Sequence, residues 1–533
     1  MDSFNILIVD DEQEWVDNYR ELCEQFPRAK VLTASDQAAA RTLITDNFFH
    51  LALVDLDFNG EAIGLDILAY LADFRPTCKC VLITRRPSEH QSNLLELLDP
   101  LRPLTKAIVD KRSWRPVLRQ YVAEEIDNWT RRPIDVGSIP EVIKAIQAKN
   151  LRTEVAITPD EIDYLLSFVH GQGMYPDSTD FEVSALSLNP MSGGRSTSVV
   201  LKCQPSTSQN LHGIWTVLKL SPREDAIEEY LRYSLYVRFL VSLDARVEVL
   251  GHAMGDTLGV ICYSFAGKSP HFVQGLNDLF DHEDERSAIV LNKLFDPEAQ
   301  CWYSTSGKEI AIPDFLERAY TLKTAEIMKT VSDTIQKAQA RVPGVQLKDG
   351  GLVWNGIKLN DPSQTLGSAK MSKKHKSCII HGDMNAHNII TGEDGRAIMI
   401  DYRHTTVGPR SLDFAALETA VRLSATRPDT TAEEILKCYH QEVSTWKNGW
   451  KGTTNRFPQV EKGLSYWQTV STQLLGLARM NFSDLTPIEY ACACFGWITR
   501  MFKVRMPYNQ RLRLLCWMAQ LSTVIEDASK GRP

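Results

Sequence analysis

The chain has 533 residues, 43% hydrophobic and 24% charged, with a formal net charge of −8. That balance is ordinary for globular domains, and the length allows roughly three or four of about 150 residues each. The acidic balance argues against bulk electrostatic capture of nucleic acid and leaves no strong nucleic-acid signal; no apolar run is long enough to offer a membrane span.

Met1-Asp2-Ser3-Phe4 has no basic region leading into a long apolar stretch, so a secretory signal is not expected. The eleven cysteines are scattered and form no CxxC pair at zinc-ligand spacing. They read as reduced core thiols of a cytoplasmic protein.

Residues 1–128 alternate short apolar runs (Asn5–Val9, Leu51–Leu56, Cys80–Thr84, Ala107–Val109) with amphipathic stretches such as Glu14–Gln25 and Asp36–Asp46. Short buried strands alternating with helices predict a doubly wound parallel sheet. Asp10 and Asp11 end the first strand, Asp55 ends the third, Thr84 closes the next, and Lys111 follows the last. All five fall at the carboxyl edge, where such sheets bind ligands. Clustered carboxylates repel one another and call for a cation; hard oxygen ligands imply Mg2+.

The order and spacing of these five residues resemble the receiver domain of two-component response regulators, over about residues 4–127. The resemblance implies Asp55 as phosphoacceptor, with Asp10, Asp11 and Asp55 around Mg2+. It also implies Thr84 and Lys111 on the phosphoryl oxygens and a histidine kinase as phosphodonor. There are departures. Ile108 or Val109 replaces the aromatic residue expected shortly before the lysine, and Arg112 stands where a proline usually follows it. Asp57 adds a carboxylate, and Arg85 and Arg86 add charge after Thr84. The chemistry looks intact; the usual route from phosphorylation to conformational change does not.

Thr130–Pro140 is polar and contains proline, and marks a boundary. Residues 129–180 read as a linker with a helical connecting segment. Strand-like runs follow at Ser196–Cys203, Trp215–Leu220, Arg246–Leu250 and Leu258–Phe265, and beyond Gly267 the chain is mostly helical. The expected architecture is a small β-rich lobe, 181–268, followed by a larger helical lobe, 269–533.

Lys219 lies inside an apolar strand, where an ammonium needs a partner. Ser221-Pro222-Arg223-Glu224 reads as an N-cap, a proline at N1 and a capping-box glutamate. The helix it starts carries Glu228 and Glu229, one of which can turn back to Lys219; Glu229 is the preferred partner. Upstream, Gly193 and Gly194 form either a tight hairpin turn or a loop whose amides approach phosphates closely.

The strongest signal is Ile379-Ile-His-Gly-Asp383-Met-Asn-Ala-His-Asn388-Ile-Ile, followed by Ile398-Met-Ile-Asp401-Tyr. Two apolar runs each deliver a carboxylate, and an asparagine sits five residues after the first. Phosphoryl transfer needs such a kit: one carboxylate to orient and deprotonate a hydroxyl, and oxygen ligands to hold Mg2+ on a triphosphate. The pattern His-Gly-Asp-x-x-x-x-Asn, with a second aspartate eighteen residues after the first, resembles the catalytic and metal-binding loops of the aminoglycoside phosphotransferase and choline kinase group. That group shares the protein-kinase-like fold. The resemblance implies Asp383 as catalytic base, with Asn388 and Asp401 as metal ligands. It makes Lys219 with Glu229 the ion pair aimed at ATP phosphates and Gly193 and Gly194 a nucleotide loop, although a full G-x-G-x-x-G is missing. Ser264 and Ala266 then lie at the adenine-binding hinge, and Asp413 anchors the catalytic loop.

The expected fold class is therefore multidomain α/β plus α+β. A doubly wound parallel-sheet receiver precedes a bilobal protein-kinase-like fold with a large helical C-lobe. The expected function is an ATP- and Mg2+-dependent phosphotransferase acting on a hydroxyl of a small-molecule or protein acceptor, under receiver control. The rival is a pseudokinase or nucleotide-binding scaffold switched by receiver phosphorylation. The acidic run Asp281–Glu285 reads either as solvated charge or as ground for a cationic acceptor.

Overall fold

The computed structural model describes residues 4–58, 63–75, 77–86, 105–130, 134–137, 139–149, 157–171, 183–191, 198–266, 274–296, 301–341, 345–348, 351–354, 357–366, 368, 371–392, 394–427, 430–431, 434–435, 465–504 and 506–527. The chain divides into two compact units, Met1–Tyr230 with Glu248–Phe265, and Leu231–Val247 with Ala266–Pro533.

The first unit holds two sheets. Strands β1 (Phe4–Val9), β2 (Ala29–Ala34), β3 (Leu51–Asp55), β4 (Lys79–Thr84) and β5 (Thr105–Asp110) form a parallel sheet in the order β2-β1-β3-β4-β5. Every residue of β1 and β3 is buried, as a strand covered on both faces requires. One core carries Leu7, Val9, Ala52, Val54, Cys80 and Leu82; the other carries Ile6, Ile8, Leu51, Leu53, Val81 and Ile83. The helices α1 (Gln13–Glu24), α2 (Gln37–Asp46) and α3 (Ile63–Phe74) alternate with these strands. In α2, Asp36 Oδ1 accepts the Ala39 amide at 2.7 Å, an N-cap. Sequence reading had no apolar run for β2: it is an edge strand, half-exposed over most of its length.

The second sheet of this unit has six strands in the order β10-β11-β9-β8-β7-β6. They are β6 (Asp135–Val136), β7 (Val183–Pro190), β8 (Val199–Thr207), β9 (Thr216–Pro222), β10 (Val249–Met254) and β11 (Leu258–Ser264). The segment 129–180, expected as a linker, contributes to this body. β6 pairs with β7, and Val142, Ile146, Ile162, Leu165, Leu166 and Val169 from its two helices bury against the sheet core. Their apolar faces have a partner surface, so the segment packs rather than spans. The helix after β9 begins at Arg223, not Pro222, and Ser221 is no cap. It lies in β9 and its hydroxyl is buried without a hydrogen bond among the described residues.

The second unit is largely helical, with three small sheets: β12-β18-β19, β13-β17-β20 and β14-β15-β16. The strands are β12 (Gln274–Gly275), β13 (Gly307–Ala311), β14 (Val345–Lys348), β15 (Gly351–Trp354), β16 (Ile357–Asn360), β17 (Lys374–Ile380), β18 (Ile389–Thr391), β19 (Ala397–Met399) and β20 (Thr406–Pro409). Helices Leu412–Ser424, Tyr466–Asn481, Pro487–Met501 and Tyr508–Asp527 supply much of its buried surface. Among the described residues no helix is long and apolar enough to cross a membrane, and the described cysteines are free thiols, buried except Cys301.

Candidate functional sites

At the carboxyl edge of the parallel sheet, Asp10, Asp55, Thr84 and Lys111 are buried together. Lys111 Nζ lies 2.8 Å from Asp10 Oδ2 and 2.8 Å from Asp55 Oδ2. One carboxylate oxygen from each of Asp10, Asp11 and Asp55 falls within 4.8 Å of the other two. Asp55 Oδ1 is buried and accepts no hydrogen bond among the described residues. Burial lifts the Asp55 carboxyl to about 6 despite Lys111, and Asp10 repulsion adds to the lift. Burial also raises Asp10. Three carboxylates facing one ammonium, with a buried oxygen lacking a donor, form a set that a divalent cation preferring oxygen completes. These residues fit Mg2+.

Thr84 is turned aside from that cluster. Its hydroxyl donates to Asp57 Oδ2 at 2.7 Å and accepts the Arg86 amide at 2.9 Å, while the Arg86 guanidinium reaches Asp57 Oδ1 at 3.1 Å. The two departures at Asp57 and Arg86 thus join in one contact around Thr84. Ile108 packs with one core of the sheet and Val109 with the other, so neither side chain supplies an aromatic ring beside Lys111.

The second acidic constellation lies in the second unit, between β17 and β20. Those strands pair through Ile380 and Thr406, which closes the intervening loop at its base. Within the loop, β18 and β19 pair through Ile389 and Met399, and the Ile400 amide donates to the Asn388 carbonyl at 3.0 Å. The hairpin thereby brings Asn388 and Asp401 to one end. Asp401 holds φ at 65°, a left-handed conformation rare for a residue with a side chain.

Asp383 sits where β17 ends. Asn388 Nδ2 donates to its carbonyl at 2.9 Å and lies 3.3 Å from its Oδ2, and Asn388 Oδ1 accepts no hydrogen bond among the described residues. Asp413 is buried and takes three donors: the His381 amide at 2.8 Å, the Gly382 amide at 3.0 Å and the Tyr303 hydroxyl at 2.9 Å. Burial raises its pKa all the same. Gly382 has φ 76°, and a Cβ there would meet the His404 carbonyl at 2.2 Å, so only glycine fits. Sequence reading missed Arg500, whose Nη1 lies 2.6 Å from Asp383 Oδ1. It comes from the helix Pro487–Met501, and no local pattern marks it.

Lys219, in β9 of the first unit, is buried with its Nζ 2.6 Å from Glu229 Oε2; the other Glu229 oxygen accepts the Tyr263 hydroxyl at 2.6 Å. Of the two glutamates considered, Glu229 is the one that turns to the lysine. Ser264 ends β11 and its Oγ accepts the Glu248 amide at 2.8 Å; Ala266 follows just beyond, half-buried. Gly193 and Gly194 lie outside the described residues.

Residues 6–99 match the family model of the response regulator receiver domain. The N-terminal region is a response regulator receiver domain. Its strand order is that of the flavodoxin-like doubly wound sheet. Among solved structures, the chain is similar to the response regulator TrrA of Thermotoga maritima in complex with Mg2+–BeF, at 20% identity over 23% of this chain and 98% of that one, with a TM-score of 0.20. It is also similar to a CheY-like receiver domain protein of Methanospirillum hungatei, at 24% identity over 24% and 98%, TM-score 0.20. The response regulator domain of Thermotoga maritima CheB is a third, at 16% identity over 24% and 97%, TM-score 0.21. Residues 316–438, which include Asp383, Asn388, Asp401 and Asp413, match the family model of ternary complex associated domain 9. No curated protein matches the chain. A receiver domain is a module of phosphorylation-regulated, two-component signalling, and residues 6–99 carry one.

Within the first unit, the receiver domain meets the six-stranded sheet at the edge opposite Asp55. Arg75, just after α3, donates to the Ile44 carbonyl at 2.6 Å and the Thr45 carbonyl at 2.8 Å, and pairs with Asp256 at 3.2 Å. Asp256 stands in the turn between β10 and β11 and also accepts the Thr77 hydroxyl at 2.7 Å. Both side chains of the Arg75–Asp256 pair are fully buried, 0% exposed. Burial lifts the Asp256 carboxyl to about 6 against the pull of Arg75. Beside it, Glu161 accepts the Thr257 amide and hydroxyl, each at 2.6 Å, and Phe48 packs on Tyr164 at 5.5 Å. At the other end of α3, Gly64 approaches so closely that a Cβ would meet the Asp55 carbonyl at 2.2 Å. One helix therefore touches both the Asp55 backbone and the buried joint.

Proposed function

We propose that this chain is an ATP- and Mg2+-dependent phosphotransferase of the aminoglycoside phosphotransferase/choline kinase-like class, with a bilobal protein-kinase-like fold, regulated by its receiver domain. The observation that carries the reading is the loop between β17 and β20. Asp413 clamps the His381-Gly382 backbone, and Asp383, Asn388 and Asp401 stand on one closed hairpin assembly. Anchoring a loop with a buried, fully donor-satisfied aspartate fixes a neighbouring carboxylate without using it. The Lys219–Glu229 pair supports the same reading, since it orients an ammonium that a triphosphate can bind.

Asn388 Oδ1 and the Asp401 carboxylate are hard oxygen donors suited to Mg2+, which neutralises charge on the phosphates when bound. Asp383 orients the acceptor hydroxyl and takes its proton. The hydroxyl oxygen bonds to the γ-phosphorus as the bond to the β-phosphate oxygen breaks, and ADP leaves. In the receiver, an Asp55 carboxylate oxygen bonds to the phosphorus of a phosphohistidine donor as the N–P bond breaks and histidine leaves; Lys111 stands beside the phosphoryl oxygens, and Asp10, Asp11 and Asp55 would hold Mg2+, which would neutralise charge there. The pseudokinase alternative predicts nucleotide binding without turnover.

The test compares two aspartates. Asp383→Ala should lower the rate of γ-phosphoryl transfer by about 10²–10⁴-fold, the worth of a positioned base, while sparing Mg·ATP affinity measured by calorimetry. Asp401→Ala should weaken Mg·ATP binding as well. Wild-type ATP turnover in Asp383→Ala would sink the phosphotransferase reading.

A further inference from the structure

The carboxylate of Asp383 is met by an arginine. Arg500 Nη1 contacts Asp383 Oδ1 at 2.6 Å and the Gly382 carbonyl at 3.5 Å. Its guanidinium carbon lies over two mutually perpendicular rings, 4.2 Å from the Tyr320 centroid and 4.5 Å from that of Trp497. Tyr320 is itself fixed, its hydroxyl donating to the Gly382 carbonyl. The arginine is thus held by cation–π contact as well as by charge. Both hydrogen bonds leave from one nitrogen, Nε and Nη2 make none among the described residues, and 19% of the side chain is exposed. A guanidinium presents five donors in a planar fork that matches carboxylate and phosphate oxygens.

Two further arginines belong to the same neighbourhood. Arg232 Nη1 donates to the Thr405 carbonyl at 2.9 Å, and Arg403 follows Asp401 by two residues. Burial holds the His404 imidazole down at about 4, so it adds no charge at neutral pH. Arg500 faces Asp383 directly, with Arg232 bonded to the adjoining Thr405 carbonyl. The acidic run that could have favoured a cation is engaged locally: Asp284 holds Arg286 and Asp281 accepts from Asn277.

We propose that the acceptor is an anion, a hydroxyl compound carrying a carboxylate or phosphate group, and that Arg500 is the residue that binds this group and presents the hydroxyl to Asp383. This inference rests on the phosphotransferase reading of Asp383. The oxyanion sits on the Nε–Nη2 edge of Arg500, and the proton of the hydroxyl passes to Asp383 as the oxygen bonds to the γ-phosphorus.

The experiment uses the full chain with Mg2+ and a non-hydrolysable ATP analogue. Calorimetry measures binding of sn-glycerol 3-phosphate, glycerate, glycerol and the cation kanamycin to wild type, Arg500→Met and Arg500→Lys, with cooperative thermal unfolding as the check on folding. The phosphate and carboxylate compounds should bind wild type, weaken by about tenfold or more in Arg500→Met, and recover in part in Arg500→Lys, which keeps charge without the fork. Glycerol and kanamycin should bind more weakly than both anions. Anion affinity equal in wild type and Arg500→Met, absence of anion binding to wild type, or tighter binding of kanamycin would each overturn the proposal. Failure of the phosphotransferase reading looks different: Asp383→Ala then turns over ATP like wild type, whatever the anions do.

Discussion

Asp55 ends a strand and Asp383 follows one, and each holds a cation against one carboxylate oxygen, yet their settings differ. The Asp55 side chain is 2% exposed and shares Lys111 with Asp10, each at 2.8 Å. Asp383 keeps 18% of its side chain exposed and faces Arg500 at 2.6 Å. A lysine is a compact point charge on a flexible stem, and one ammonium does not neutralise three carboxylates. The deficit leaves room for a divalent ion, and burial makes Asp55 reluctant to ionise until that ion arrives. The arginine at Asp383 lies over two rings as well as against the carboxylate. The first arrangement suits a carboxylate that is itself modified; the second suits one that handles another molecule.

The largest effect expected from this contrast is all-or-none. A small phosphodonor with Mg2+ should label the wild-type chain and leave Asp55→Asn unlabelled, while Asp57→Asn keeps the label. Label on Asp55→Asn that disappears in Asp57→Asn would move the phosphoacceptor to the wrong side of the Thr84 contact.

Next comes the joint between receiver and neighbouring sheet. Arg75→Met leaves Asp256 buried and ionisable with its cation gone, a loss of about 3–5 kcal/mol for pairs of this kind. Urea unfolding should show that shift, and Arg75→Met combined with Asp256→Leu should recover most of it. An unchanged midpoint in the single variant would mean the pair is not buried in solution. If this joint carries the receiver signal, the double variant should also uncouple ATP turnover from phosphodonor, since allosteric couplings are of the order of 1–3 kcal/mol.

The smallest effect is a pH dependence. The folded Asp55 carboxyl, at about 6, lies above its ordinary 3.8. Between those values the folded, metal-free chain binds a proton that the unfolded chain has lost. The contribution of this group to stability therefore falls as pH rises through that window. Mg2+ needs the carboxylate, so its affinity for the receiver should rise by roughly tenfold per pH unit up to about 6 and then level off, with proton release at acid pH. A flat profile from pH 5 to 7 would place Asp55 ionised before the metal binds.

The sequence alone determined the elements whose burial follows a simple period and the acidic residues that end them. β1, β3 and β4 are continuous apolar runs because both faces are covered, so the apolar pattern by itself places Asp10, Asp55 and Thr84 at one edge. Asp383, Asn388 and Asp401 stand out in the sequence for a related reason, each following or preceding a short apolar run, and the pairing of β18 with β19 brings Asn388 and Asp401 to one end. β2 was not legible, because an edge strand with mixed exposure carries no period that distinguishes it from a loop. The helical character of 129–180 is legible, but not that it forms two helices whose apolar faces complete the core of the six-stranded sheet. The charged partners were beyond reach altogether. Arg500 meets Asp383 across 117 residues, and Arg75 meets Asp256 across 181. An ion pair of that span leaves no mark on the local pattern of either residue, since a buried charge and a solvated one look alike until folding brings, or fails to bring, the opposite charge within a few ångströms.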